Sequence, residues 1–351
     1  MTLLKVDITK SFGDFTLRSK FETSTERFAL LGSSGSGKSL TLKCIAGIEE
    51  PDQGRITLGE KVLFDSSSKI NLPPGKRHVG YLFQNYALFP NLTAYENINI
   101  VCKNDERTRD LLRRFNILSV SQLKPSDLSG GQCQRTALAR MLASDPEVIL
   151  LDEPFCALDN YMHTIIEREI MDILNEYKGP SVLVSHDRNE VYRMCGRIGV
   201  MDNGTLTDVQ DKKSFFQSPS TVVAARLTGC KNITRICSDG YAPDWGIRLR
   251  LPQNTDASVV KFVGYRAHYF ERVDESNKNQ DNVFEVKIER VIEDTFSTAY
   301  CFKQKGNSCD TTDSVLTWIT DKGSEDEIVR CADEGKLFLR MRTDKMIMLE
   351  R

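Results

Sequence analysis

The sequence predicts an α/β fold built around a phosphate-cradling loop, followed by a smaller β-barrel. Three observations carry this. Gly32-Ser33-Ser34-Gly35-Ser36-Gly37-Lys38-Ser39 fits the pattern G-x-x-x-x-G-K-[ST]. The run Glu147–Pro154 is apolar until it ends in two carboxylates, Asp152 and Glu153. Beyond Gly229 the alternation of strand and helix signals gives way to short strands separated by turns.

In chain order, Arg27-Phe28-Ala29-Leu30-Leu31 reads as a strand entering the loop, and Ser39 to Ala46 as the helix leaving it. Glycines let the loop turn tightly, so that consecutive N–H groups point at phosphate oxygens. The helix aims its N-terminal dipole at the same anion. Lys38 would reach the β- and γ-phosphates, and the Ser39 hydroxyl would ligate Mg²⁺. Val148 to Leu151 suits a buried parallel strand. Carboxylates at its C-terminal end fall where open α/β sheets bind ligands. Asp152 would hold Mg²⁺ through water, and Glu153 would be the general base for an attacking water.

Leu128-Ser129-Gly130-Gly131-Gln132 opens a helix through Gln134, Arg135, Ala137 and Arg140, and resembles the signature sequence of ATP-binding cassette (ABC) ATPases. Other pieces follow in that family's order. Gln84 resembles the Q-loop glutamine, Ala157-Leu158-Asp159 the D-loop, His186 the switch histidine and Phe12 the aromatic residue that stacks on adenine. The resemblance covers residues 1–228. It implies an α/β P-loop ABC ATPase domain with a mixed sheet and a helical subdomain at about 85–128. The implied ligands are ATP and Mg²⁺, with Ser39, Gln84 and Asp152 around the metal.

The resemblance also implies a head-to-tail dimer of two copies. Each ATP would lie between one copy's loop and the other's Ser129, Gly130, Gly131 and Gln132, with Asp159 nearby. His186 would contact the γ-phosphate, and Gln84 would sense metal and water. Plainer readings exist for several of these residues. Phe12 could be strand packing, Gln84 a strand-end hydrogen bonder, His186 a buried histidine and Ser129 a helix N-cap. After Asp159, Asn160-Tyr161-Met162-His163 departs from the family's usual pattern.

Composition agrees with a cytoplasmic enzyme. The 351 residues carry a formal charge of −2, without the basic surplus that extensive nucleic-acid binding needs. No apolar stretch approaches the ~18 residues of a membrane span, and Met1-Thr2-Leu3-Leu4-Lys5 lacks a signal-peptide core. The 10 cysteines are scattered, with no C-x-x-C pair, and read as core fillers kept reduced. Cys133 and Cys156 lie close to the catalytic motifs.

The expected boundary is Gly229, giving an ATPase domain over 1–229 and a regulatory β-barrel over 230–351. Arg197 to Met201 and Thr205 to Thr207 form a hairpin through Asp202-Asn203-Gly204. The expected barrel strands are Gly246–Leu251, Val259–Tyr265, Val283–Ile292, Thr298–Phe302, Val315–Ile319, Leu337–Arg342 and Met346–Leu349.

A single ATPase half with such a barrel (OB-like, of the TOBE/MOP type) resembles the ATPase subunits of bacterial importers. The stretches Lys76–Pro90, Leu227–Ile233 and Val263–His268 are similar to the molybdate branch. That implies uptake of molybdate, or of tungstate or a sulfate-like oxyanion. Iron, polyamine and sugar importers share the layout, and a soluble ABC ATPase is the rival from another class. The implied partners are permease subunits docking on the helical subdomain near Tyr86, Leu88, Phe89 and Tyr95–Ile98, and indirectly a solute-binding protein. The implied location is the cytoplasmic face of the membrane. Lys231, Arg266, Ser297 and Thr298 are candidate oxyanion donors in the barrel.

Overall fold

Alternating apolar residues open the chain as a two-stranded ribbon, β1 (Leu4–Phe12) and β2 (Phe15–Thr23), which buries Leu4, Val6, Ile8, Leu17 and Phe21 on one side. The computed structural model describes residues 2–156, 159–253, 255, 259–307, 314–323 and 325–350. It divides into two units, Met1–Lys212 and Lys213–Arg351.

The first unit continues with β3 (Arg27–Gly32), α1 (Lys38–Ala46), β4 (Gln53–Leu58), β5 (Lys61–Asp65), β6 (Ile70–Asn71) and β7 (Val79–Leu82). Helices α2 (Ala94–Cys102), α3 (Asp105–Arg114) and α4 (Gly130–Leu142) follow. It closes with β8 (Val148–Asp152), α5 (Asn160–Glu176), β9 (Ser181–Ser185), α6 (Arg188–Met194), β10 (Arg197–Asp202) and β11 (Thr205–Asp211). All these strands join one 11-stranded sheet, ordered β6-β5-β4-β1-β2-β11-β10-β3-β9-β8-β7.

Neighbours from β10 to β7 run parallel, whereas the β1, β2, β4 and β5 ribbons are antiparallel, so the sheet is mixed. Strands β8 and β9 are buried at every residue, as a sheet covered on both faces requires. The expected hairpin forms: Asn203 and Gly204 take φ values of 44° and 81° between β10 and β11, the geometry an Asn-Gly turn supplies.

One buried cation locks the helix behind the loop. Arg77 is fully buried and donates to the Cys44 and Ile45 carbonyls at 2.8 and 2.9 Å, at the C-terminal end of α1 where the helix runs out of its own donors. It also donates to the Leu72 carbonyl and the Asn71 side chain. Gly47 ends α1 at φ 78°, and a Cβ there would stand 2.5 Å from Arg77 Nε.

The second unit holds α7 (Lys212–Gln217), α8 (Val222–Leu227), β12 (Asn232–Arg235), β13 (Tyr241–Ala242), β14 (Ile247–Arg248) and β15 (Phe262–Tyr265). Then come β16 (Glu271–Val273), β17 (Val283–Glu293), β18 (Ser297–Gln304), β19 (Leu316–Asp321), α9 (Glu325–Asp333), β20 (Phe338–Arg340) and β21 (Ile347–Leu349). Its strands are consistent with a small barrel domain. They surround a core that includes Trp245, Tyr265, Tyr300, Phe302, Trp318 and Leu339.

The division between units falls at the first residue of α7, between Lys212 and Lys213, ahead of the expected Gly229. The reason is packing. Ala225 shares a core with Cys230, Ile233, Ile347 and Leu349, and Arg266 donates to the carbonyls of Phe216 and Thr228. Helix α9 is an addition to the expected strands; it buries Ile328 and packs Val329, Cys331 and Ala332 against the same core.

The cysteines among the described residues form no disulfide. Burial pushes Cys44 and Cys195 up to about 12 and Cys230 up to about 11, which keeps all three thiols protonated and inert. Among the described residues no helix is long and apolar enough to cross a membrane.

Arg77→Ala should lower unfolding free energy by on the order of 3 kcal/mol, because it strands several buried acceptors at once. Urea denaturation monitored by circular dichroism measures this, and a loss below about 1 kcal/mol would contradict the assignment.

Candidate nucleotide site

The loop begins where β3 ends. Gly32 is the last residue of that strand and lies beside Met201 of β10. A Cβ at Gly32 would approach the Met201 carbonyl oxygen to 2.3 Å, so only glycine fits. Gly35 and Gly37 take left-handed φ values of 78° and 100°, turning the loop into the N-terminus of α1.

Lys38 is buried and donates to the carbonyls of Gly32 and Ser33 at 2.9 and 2.7 Å. Burial lowers its pKa, opposed by the nearby Glu153 and Asp152 carboxylates. The Ser36 hydroxyl is buried without a partner. A cleft of about 370 Å³ opens here, lined by Phe15, Ser34, Gly35, Gly37, Lys38, Ser39, Leu40, Gln84 and Glu153.

Strand order brings three further carboxyl ends to this edge. Asp152 ends β8, Ser185 ends β9, and Gln84 follows β7. The Ser39 hydroxyl donates to Asp152 Oδ1 at 2.7 Å, and the Tyr81 hydroxyl to Asp152 Oδ2 at 2.8 Å. Burial beside this carboxylate pushes the Tyr81 pKa up, so the phenol stays a donor.

Glu153 adopts φ 45°, a conformation non-glycine residues rarely take, and its N–H donates to the Val184 carbonyl at 3.0 Å. Its Oε2 accepts from Gln84 Nε2 at 3.3 Å and lies 3.6 Å from His186 Nδ1. Gln84 Nε2 also donates to the Cys156 sulfur at 3.2 Å.

These residues fit a nucleoside triphosphate with a divalent cation. The loop offers N–H groups and a buried ammonium to an anion, and the Ser39 hydroxyl and Asp152 carboxylate, 2.7 Å apart, are oxygen donors of the kind that would hold the cation. Among the described residues no group of three His, Cys, Asp or Glu could hold a metal without such help.

Other expected residues stand elsewhere in the unit. Ser129 is the N-cap of α4 in a reciprocal capping box: its hydroxyl accepts from the Gln132 N–H, and Gln132 Oε1 accepts from the Ser129 N–H at 2.8 Å. Gly130 and Gly131 form the first turn, and a Cβ at Gly131 would meet Met162 Cε of α5 at 2.3 Å. Asp159 caps α5 through the Tyr161 and Met162 N–H groups. Ala157 and Leu158 lie outside the described residues.

Phe12 and Phe15 face each other across the turn between β1 and β2. Phe12 is 47% exposed, with the Lys10 ammonium 5.0 Å from its ring centroid, and Phe15 lines the cleft.

Sequence reasoning missed three supporting residues. Arg140 of α4 donates to the Tyr86 and Ala87 carbonyls at 2.9 and 2.8 Å, holding both residues at positive φ just after Gln84. Gln134 of α4 donates to the Pro154 carbonyl at 2.7 Å, beside Glu153. Tyr81 orients Asp152. The signal for Gln134 and Arg140 was their place as polar residues four and ten beyond Gly130 in the same helix.

Residues 20–156 match the family described as ABC transporter. The chain is 35% identical to the molybdate/tungstate import ATP-binding protein WtpC of Pyrococcus horikoshii, over 82% of this chain and 85% of that one. The chain belongs to the ABC transporter family. It is 38% identical to the putrescine transport ATP-binding protein PotG of Escherichia coli, over 68% of this chain. It spans 65% of PotG's length and 58% of that of an Fe(3+) ions import ATP-binding protein from Haemophilus influenzae. The solved dimeric ATP-binding cassette MJ0796 bound to ADP and Pi superposes at a TM-score of 0.51 and 27% identity, covering 60% of this chain and 99% of that one.

In this cassette Gly32→Ala should destabilise by about 2–3 kcal/mol, since a backbone carbonyl cannot retreat. Gly35→Ala meets open space and should cost only the left-handed strain of about 1–2 kcal/mol. Equal losses in urea titrations of the two variants would refute the close approach at Gly32.

Proposed function

We propose that this chain is the ATP-hydrolysing subunit of an importer, and that molybdate or tungstate is its cargo. The observation that carries the ATPase reading is the convergence on Glu153. A carboxylate held in a rare backbone conformation faces Gln84 and His186, across one cleft from Lys38. In this reading Glu153 takes a proton from the water that attacks the γ-phosphate. Gln84 and His186 orient that water and the leaving phosphate. Lys38 and the loop N–H groups between Gly32 and Ser39 hold the phosphate chain, and exposed Phe12, with Phe15 opposite it in the hairpin, offers the adenine a ring. Bound Mg²⁺, held by Ser39, Asp152 and Gln84, would supply charge neutralisation at the phosphate oxygens.

A second copy would complete the site with Ser129, Gly130, Gly131 and Gln132, a reading supported by the dimeric state of the MJ0796 cassette. The capping box leaves the Gly130 and Gly131 N–H groups at the open N-terminus of α4, where an anion is stabilised. Permease subunits would dock on the helical subdomain at the cytoplasmic face of the membrane. Phe89, Ile100, Val101, Leu118 and Leu123 are exposed there. Glu96 belongs to the α2 capping box with Thr93, so reversing its charge would disturb the helix before any docking contact.

The cargo reading is supported by the 82% coverage of the chain in the WtpC match, which extends well beyond residue 212. A relative named for sulfate/thiosulfate import matches 81% of the chain, while relatives named for putrescine, Fe(3+) and trehalose/maltose import match 68%, 57% and 70%, so the coverage supports an oxyanion as the class of cargo. An oxyanion site in the second unit would need donors other than two of the expected four. Arg266 is spent on backbone carbonyls, and buried Thr298 donates to the Glu325 carboxylate.

Glu153→Gln should retain ATP binding and lose turnover by roughly a hundredfold or more. Lys38→Ala should instead weaken ATP binding by roughly tenfold or more, having lost a charge-assisted contact. Phosphate release and fluorescent-nucleotide titration separate the two effects, and near-normal turnover in Glu153→Gln would refute the general base. Disrupting the gene should abolish radiolabelled tungstate uptake and spare putrescine uptake, and the reverse outcome would replace the cargo.

A further inference from the structure

The stretch Asn160-Tyr161-Met162-His163, which departs from the family's usual pattern, has no part in the hydrolysis described above. One of its residues, Met162, touches both regions expected to meet a second copy. Its N–H donates to Asp159 Oδ1 at 2.9 Å, beside that of Tyr161 at 3.0 Å. Its side chain lies on α4. A Cβ at Gly131 would stand 2.3 Å from Met162 Cε and 3.8 Å from its Sδ. The methyl therefore fills the space that a glycine leaves beside its Cα. Among the described residues outside α4, Met162 alone reaches within 4 Å of that point.

The neighbouring glycine is the opposite case. Gly130 is exposed, and a Cβ there would meet nothing within 4 Å. The first turn of α4 is thus open at Gly130 and backed at Gly131. Further along, Arg135 Nε donates to Glu169 Oε2 at 3.0 Å and Arg135 Nη2 to Glu169 Oε1 at 2.6 Å, a partly buried two-pronged pair. Gly131 and Arg135 are one turn apart on α4, and Met162 and Glu169 are two turns apart on α5, so each couple shares a face. Earlier residue meets earlier and later meets later. The two helices run alongside in the same direction, with their capped N-termini together.

We propose that Met162 is a positioning residue that backs the Ser129–Gln132 turn and ties it to the Asp159-capped end of α5. One copy then presents both to the other copy's ATP as a single edge. This deepens the head-to-tail reading and rests on it. Two successive glycines give the turn no side chain of its own to pack, and glycine backbone is the most costly to order. An unbranched thioether with three rotatable bonds reaches that backbone without a close-packed socket. The Ser129–Gln132 capping box does not involve Met162, so the helix end survives its loss, but the turn is no longer held against α5. Met162 is also absent from the lining of the cleft beside Lys38, so a chain's own loop should bind nucleotide as before.

The test uses the full chain carrying Glu153→Gln, with Met162→Ala, Met162→Gln or Met162→Leu added. Fluorescent-ATP titration reads binding by a chain's own loop, and sedimentation velocity at saturating ATP reads dimerisation. Nucleotide Kd should stay within about twofold throughout, while Met162→Ala and Met162→Gln should raise the protein concentration at half-dimerisation about tenfold. Met162→Leu, which conserves volume and stays apolar, should recover most of that loss. With Glu153 intact, Met162→Ala should lower phosphate release per chain about tenfold in dilute samples and regain it as protein concentration rises, which a defect in folding or chemistry would not do. Should Met162→Ala fail to fold, Met162→Gln and Met162→Leu decide. Equal half-dimerisation concentrations with and without Met162 would overturn the proposal and leave the head-to-tail reading intact. Loss of nucleotide binding in step with dimerisation would overturn it too, since Met162 would then act on the whole unit. Absence of any ATP-dependent dimer in the Glu153→Gln chain would overturn the head-to-tail reading itself, and the proposal with it.

Discussion

A polyanion can be held by backbone N–H groups only if several of them converge at one place that the surrounding structure leaves open. That constraint organises the first unit. The loop from Gly32 to Lys38 turns on glycines with left-handed φ at 35 and 37, and it can sit where it does because Gly32 clears the Met201 carbonyl. The parallel run β10-β3-β9-β8-β7 then delivers Ser185, Asp152 and Gln84 to the same edge, since all these strands end there.

Around that edge the supports are polar and buried, and each joins two elements distant in sequence. Arg140 and Gln134 bring α4 against the turns that follow Gln84 and Glu153. Tyr81 fixes one oxygen of Asp152 while Ser39 occupies the other. Arg77 closes the far end of α1. Groups of this kind are costly to leave unpaired, so they restrict the loops to a few arrangements. The same helix that presents the capped Ser129 end thereby also touches the backbone beside Glu153 and Gln84, which gives the two regions a shared rigid body.

The second unit follows different rules. Its core is aromatic, with Trp245, Tyr265, Tyr300, Phe302 and Trp318 packed among short strands. It recruits α7 and α8 because Arg266 and the Ala225–Leu349 cluster bind them, so the composition change at Gly229 marks a change of element type and not the limit of the packed unit.

The sequence by itself determined whatever depends on spacing along one element. The loop, the two carboxylates after β8, the Asn-Gly hairpin and the capping of α4 were all legible, because glycine conformation, apolar runs and N-caps act over a few residues. Most of the strands in the second unit were legible for the same reason, while α9 was not. Only the tertiary structure decided which side chains line the cleft beside the loop, Phe15 of β2 and Gln84 after β7 among them. It also decided the partners of Arg140 and Arg77. A charged side chain in sequence declares its need for a counter-charge or an acceptor, but which carboxylate or carbonyl meets that need depends on contacts between elements far apart in the chain.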